Sequence, residues 1–229
     1  MNDNSRTLLS LVVDRSGSME DMGKEPYNAI NTFVSDQKGD NTDITMLRFD
    51  NVCERFIQVS HSNDFSITQE DIEPRGTTAL YQAIGESIEY TETLSGEYDK
   101  IIFMIMTDGE ENSSKGRFRG EPGRKLVKEL ISKNEAEKWE FYFLGANIDS
   151  QFVGNSLGFS SGHCIDFSPD GKGCSSAVRS CSQAVSRART GEDSNFNDEE
   201  RFESMVGVAD SPSPAVTRNM KRRRNMTLN

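Results

Sequence analysis

The sequence predicts a doubly wound α/β protein: a mostly parallel sheet of about six strands, one antiparallel edge strand and helices on both faces. Three observations predict it. Near-continuous apolar runs, "TLLSLVV" (7–13), "KIIFMIM" (100–106) and "WEFYFLG" (139–145), read as strands buried on both faces. Segments of helical periodicity alternate with these runs. The first two runs stop abruptly at Asp14 and near Asp108. That is the edge of such a sheet where ligands gather.

The elements follow in order. Pro26 suits the first turn of a helix over 26–37, which carries Ile30, Phe33 and Val34 inward. After the turn cluster GDNT (39–42), "DITMLRFD" (43–50) and "CERFIQVS" (53–60) flank Asp50-Asn51 as a hairpin, supplying the antiparallel strand. A polar loop runs to Gly76. "TALYQAIGESIEYTETL" (78–94) then places Leu80, Ala83, Ile84, Ile88 and Thr91 on one helical face. A helix over 122–138 begins at Pro122, and "NIDSQFVGNSLG" (147–158) reads as a short helix closed by Gly158, with Asp149 at its start. "HCIDF" (163–167) is the last, edge strand, and 173–189 is an amphipathic helix with Val178, Cys181 and Val185 inward. Beyond Thr190 the apolar periodicity fades. The expected domain is therefore 1–190, with 191–229 a polar, largely disordered tail containing a short helix near 198–206.

Composition narrows the function. Of 229 residues 34% are hydrophobic and the mean hydropathy is −0.64, so part of the chain is expected outside the core. Residues 1–115 carry 22 acidic and 9 basic side chains; residues 116–229 carry 15 and 17. An acidic first half disfavours nucleic acid, which wants a basic face, and suits a cation or a basic partner. KRRR (221–224) reads as a solubilising end of the tail. Four cysteines form no C-x-x-C pair, and His61 and His163 are too few for a zinc site. Cys174 and Cys181 stand two helical turns apart, too far for a comfortable disulfide. Reduced thiols point to the cytoplasm. No signal-peptide run and no membrane-spanning length is visible, so no membrane partner is expected.

In "DRSGS" (14–18) alternate residues of an extended segment point the same way, so Asp14, Ser16 and Ser18 present one carboxylate and two hydroxyls to a common point. Oxygen donors without His or Cys call for a hard cation, Mg²⁺ first, then Mn²⁺ or Ca²⁺. The bare D-x-S-x-S spacing is weak, with roughly 0.2 chance occurrences in a chain of this composition. "DFSIT" (64–68) is nearly as good a match, but it follows HSN rather than a buried strand.

A third element adds to the case. "RGTTALYQAI" (75–84) opens a helix with a Gly-Thr-Thr loop. DRSGS, GTTALYQAI and TDGEEN, in that order, resemble a von Willebrand factor A domain with a metal-ion-dependent adhesion site. The resemblance covers about residues 5–189, and "KWEFYFLGANID" (138–149) also resembles stand-alone bacterial members of the family. It implies a Rossmann-like architecture and a cation held by Asp14, Ser16, Ser18, Thr78 and Asp108. Thr78 is chosen over Thr77 by counting back five residues from Ala83, where the family has a small residue. In the family the serines coordinate directly, and the threonine and aspartates directly or through water.

Two carboxylates and three neutral hydroxyls do not over-neutralise a divalent ion; if either carboxylate sits behind a water, the ion keeps its electrophilic character and an open position for an external carboxylate. The resemblance thus implies a protein-binding module that captures an exposed Asp or Glu of a partner. Stand-alone relatives often work beside AAA+ ATPases, kinases or stress-response proteins. The alternative is a Mg²⁺-dependent hydrolase, phosphatase or nuclease, on a similar sheet. Aspartate-nucleophile phosphatases want a second acid two residues after the first, and here Ser16 stands there. No nucleophile with a base is evident near the site.

Overall fold

The computed structural model describes residues 5–39 and 41–206. Six strands form one sheet: β1 (Thr7–Asp14), β2 (Thr42–Phe49), β3 (Cys53–His61), β4 (Lys100–Thr107), β5 (Glu140–Ala146) and β6 (Cys164–Phe167). Their spatial order is β3-β2-β1-β4-β5-β6. Every pairing is parallel except β2 with β3, the hairpin expected from Asp50-Asn51. The chain winds outward from β1 to β3, then restarts at β4 on the other side of β1. The carboxyl ends of β1 and β4 therefore flank the point where the winding reverses, the ligand crevice of doubly wound sheets.

Alternation along the strands explains the two cores. Leu9, Leu11 and Val13 of β1 point to the face covered by α1 (Glu25–Asp36) and α5 (Gly171–Thr190). Leu8 and Val12 point to the face covered by α2 (Leu80–Leu94), α3 (Gly120–Ala136) and α4 (Ser150–Leu157). Every residue of β1 is buried, as a two-sided sheet demands of a central strand. Ser10, the polar exception, meets the Ser87 and Thr91 hydroxyls of α2 at 3.3 Å each. Asp149 caps α4 by accepting from Phe152 N at 2.8 Å, and Gly158 ends that helix at φ 101°. All four cysteines are free thiols. Among the described residues, no helix is long and apolar enough to cross a membrane.

One expectation needs correction. Packed structure does not stop at Thr190 but continues through α6 (Asp198–Val206), which lies on α5 and β6. Phe196 is buried edge-on to Tyr142 at 5.8 Å, Glu200 accepts from the two terminal guanidinium nitrogens of Arg187 at 2.8 and 3.1 Å, and Ser204 Oγ donates to Asp166 O at 2.6 Å. The two buried residues of α6 are Glu200 and Ser204. The short helix expected near 198–206 is present as α6; apart from Phe196 the segment docks by polar contacts, so apolar periodicity carries no sign that it packs on the domain. The remaining tail, with SPSP and KRRR, lies outside the described residues.

Candidate metal centre

The end of β1 and the end of β4 bring two carboxylates to one place. Asp14 is wholly buried; its Oδ1 accepts from Ser16 N at 2.6 Å and its Oδ2 from Thr107 Oγ1 at 2.5 Å. The chain then turns so that the Ser16 and Ser18 hydroxyls lie 3.2 Å apart, and Ser18 Oγ donates to Asp108 Oδ1 at 2.7 Å. Ser16, Thr78 and Asp108 are buried and Ser18 is exposed, so the group opens to solvent at Ser18.

The third loop sits against the same point. A Cβ placed on Gly109 would stand 3.0 Å from Thr78 Oγ1 and 3.7 Å from Ser18 Oγ, which puts both hydroxyls around the backbone next to Asp108. Thr77 is exposed, and Thr78 is the threonine turned inward. The structure thus brings Asp14, Ser16, Ser18, Thr78 and Asp108 together. The DFSIT segment does not join them.

Several residues that hold this arrangement are not evident from spacing. Thr107, one residue before Asp108, orients the Asp14 carboxylate. Asn112 pins Thr78, its Oδ1 accepting from Thr78 N at 2.9 Å and its own N donating to Thr78 O at 3.0 Å. The N-terminus of α2 has no local side-chain cap. Glu111 supplies one from the third loop, accepting from Tyr81 N at 2.9 Å and from Ser113 N and Ser114 N at 3.0 and 2.7 Å. A solvated turn at 110–111 is the natural sequence reading; Glu111 is instead half-buried and bonded across to α2.

The electrostatics leave a deficit of positive charge. Burial pushes the Asp14 carboxyl up to about 7, against the opposing pull of the Thr107 and Ser16 hydrogen bonds, and Asp108 adds to the rise. Burial also raises Asp108 above the ordinary carboxylate range. The neighbouring cation, Arg15, is turned away toward Asp50 and Glu54. Asp108 Oδ2 is buried without a hydrogen-bond partner among the described residues. A buried polar oxygen is costly unless something binds it, and a small hard cation fits two carboxylates and a set of hydroxyls. Among the described residues no group of three or more His, Cys, Asp or Glu is placed to hold a metal ion; the set at this edge is two carboxylates and three hydroxyls.

No protein-family model matches the sequence, and no curated protein matches it. Solved structures do match by shape. The PilB minor pilin from Streptococcus sanguinis superposes with a TM-score of 0.60 at 10% identity, over 82% of this chain and 63% of that one. The vWF domain of the type V pili tip protein Mfa5 from Porphyromonas gingivalis gives 0.57 at 9%, over 80% of this chain and 96% of that one. Proximal thread matrix protein 1 of the mussel byssus, in the form with a zinc-occupied MIDAS motif, gives 0.52 at 17%, over 76% and 46%. The chain therefore spans under half of the mussel protein and most of the Mfa5 domain. Together with the β3-β2-β1-β4-β5-β6 sheet and its winding reversal between β1 and β4, these superpositions establish that the protein has the von Willebrand factor A fold.

Proposed function

We propose that the protein is a cation-dependent protein-binding module. Asp14, Ser16, Ser18, Thr78 and Asp108 hold one divalent cation, Mg²⁺ first and Mn²⁺ or Ca²⁺ as alternatives. The observation that carries the reading is Asp108 Oδ2, a buried carboxylate oxygen unpartnered among the described residues, beside the Ser18 hydroxyl and a second buried carboxylate. The choice of a hard ion rests on the oxygen-only donors. The zinc-occupied motif of the mussel protein, on the same fold, supports a metal at this edge.

When bound, the cation supplies a Lewis-acidic position open to an external carboxylate. The chain's own residues do the rest. Thr107 and Ser16 N hold Asp14 in one orientation, Asn112 holds Thr78, and exposed Ser18 marks the side from which a partner approaches. The partner is a protein offering an exposed Asp or Glu, an AAA+ ATPase or stress-response protein in the first instance. This is recognition rather than catalysis. Unpaired thiols at Cys53, Cys164, Cys174 and Cys181 support a reducing, cytoplasmic setting. Affinity capture with the full chain tests the reading. A partner retained in Mg²⁺ should be lost in EDTA and with Asp14→Ala. Capture indifferent to both would sink it.

A further inference from the structure

The Asp50-Asn51 turn does more than close a hairpin. The Asp50 side chain is 1% exposed, and its Oδ2 accepts from Arg75 Nε at 2.7 Å. The same oxygen lies 3.1 Å from Arg15 Nε, off the hydrogen-bond direction, so that contact is ionic. Oδ1 accepts from Val52 N at 2.8 Å. Glu54 extends the network, meeting Arg15 at 2.7 Å, Arg48 at 2.9 Å and Arg75 at 3.3 Å. Backbone bonds run alongside: Arg75 N to Arg15 O at 2.8 Å, Gly17 N to Gly76 O at 3.2 Å and Ala79 N to Asp50 O at 2.9 Å. Gly76 sits at φ 68°, packed so closely that a Cβ there would strike the Asn51 side chain.

One buried carboxylate thus ties together the first loop of the site, the hairpin and the second loop. Arg15 immediately precedes Ser16, and Arg75 stands three residues before Thr78. Side chains alternate at the end of β1, so Asp14 and Ser16 face the site while Arg15 faces Asp50. A buried ion pair is a poor source of stability, because desolvation offsets the attraction; its best-attested use is to fix register. The register here is that of one hydroxyl-bearing loop against the other. The charge of Asp50 is not needed for the turn, since an Asn would still accept from Val52 N.

We propose that Asp50 is a positioning residue of the cation site: clamped between Arg15 and Arg75, it holds the first loop against the second so that the Ser16, Ser18 and Thr78 hydroxyls converge. The proposal rests on the cation reading given above. It is tested on the full chain by Mn²⁺ titration, and by amide hydrogen exchange of the EDTA-treated protein. Two variants are used. Asp50→Asn removes the charge and keeps the turn acceptor. Arg75→Met removes only the half-exposed arm of the clamp, 54% exposed, so folding is spared.

Both variants should weaken Mn²⁺ binding by roughly tenfold or more, the usual effect of losing a partner that orients a metal ligand. Both should speed exchange at 15–18 and 75–79 and leave the amides of β1 and β4 unchanged. Arg75→Lys, which keeps the charge and loses the two-pronged grip on Asp50 and Glu54, should restore part of the affinity. Unchanged Mn²⁺ affinity in both variants overturns the proposal. An unsubstituted chain that binds no Mn²⁺ overturns the cation reading instead. The exchange experiment then still decides the clamp: local acceleration supports it, and uniform or absent acceleration overturns it.

Discussion

DRSGS (14–18) and DFSIT (64–68) share one spacing and have opposite fates. In the first, the polar residues at alternate positions turn toward the fold: Asp14 and Ser16 are buried, and Ser18 reaches Asp108. In the second, the intervening residues turn inward. Phe65 and Ile67 join the core, while Asp64, Ser66 and Thr68 are exposed. Asn31 brackets Ile67 with bonds of 2.7 and 3.0 Å, and Asp71 is spent on the Thr68 amide and hydroxyl at 2.7 and 2.8 Å. The same pattern is a candidate site where a buried strand delivers it beside another strand's aspartate, and a packed turn where apolar residues claim the inside. Period-two alternation decides only that two sets exist; the core chooses which set it takes.

The largest expected effect breaks the turn half of this comparison. Phe65→Ala empties a buried aromatic position and should destabilise the protein by about 3 kcal/mol in urea unfolding. Mg²⁺ affinity should be untouched. A fall in affinity as large as the fall in stability would show that the two segments are not separate. Slightly smaller is the effect on the site half. At a Mg²⁺ concentration 100-fold above the dissociation constant, a folded-state ligand stabilises by about 2.7 kcal/mol. Thermal melts should show this for the unsubstituted chain and for Asp64→Ala, and show none of it for Asp14→Ala.

Asp14→Asn sharpens the contrast further. Among the described residues the buried carboxylate has no cationic side chain in an ion pair with it, so in EDTA it is a liability that an amide removes. Asn keeps the acceptor for Ser16 N, and its NH₂ can donate to Thr107 Oγ1, which accepts as readily as it donates. The metal-free variant should melt at or above the unsubstituted chain while losing the Mg²⁺ response. A lower melting temperature in EDTA would mean that Asp14 serves the fold before it serves a cation.

The same contrast explains what could be read from the sequence. Strand and helix order was legible because central strands of a two-sided sheet must be apolar throughout, and helices must show a stripe; β1, β4 and β5 are such runs. The candidate cation residues were legible because each ends a strand or opens a helix within a short motif. Asp50, Arg15 and Arg75 were not, since their bonds join positions 25 to 35 residues apart and an Asp-Asn turn is ordinary in any hairpin. Thr107 reaches Asp14 across 93 residues, and Glu111 reaches Tyr81 across 30. The helix near 198–206 is legible, but its docking on the domain is not, because α6 buries Glu200 and Ser204 where periodicity looks for apolar residues.

The smallest effect probes the point where the loops converge. Gly109 has ordinary space around it except on one side, where a Cβ would stand 3.0 Å from Thr78 Oγ1. That distance is tight without being prohibitive, so the neighbour must give by a few tenths of an ångström. The Thr78 backbone cannot yield easily, being held by Asn112 on both its N–H and its carbonyl. The hydroxyl itself must therefore rotate or shift. Gly109→Ala should leave the EDTA-treated melting temperature nearly unchanged, because the fold's cores lie elsewhere. It should weaken Mg²⁺ binding about tenfold, the low end of what disturbing a ligand's orientation costs. Adding Thr78→Ser, which keeps the hydroxyl and removes the methyl that limits its rotation, should recover part of that loss. If Gly109→Ala binds Mg²⁺ as the unsubstituted chain does, the Thr78 hydroxyl is not among the groups that hold the cation, and the set contracts to Asp14, Ser16, Ser18 and Asp108.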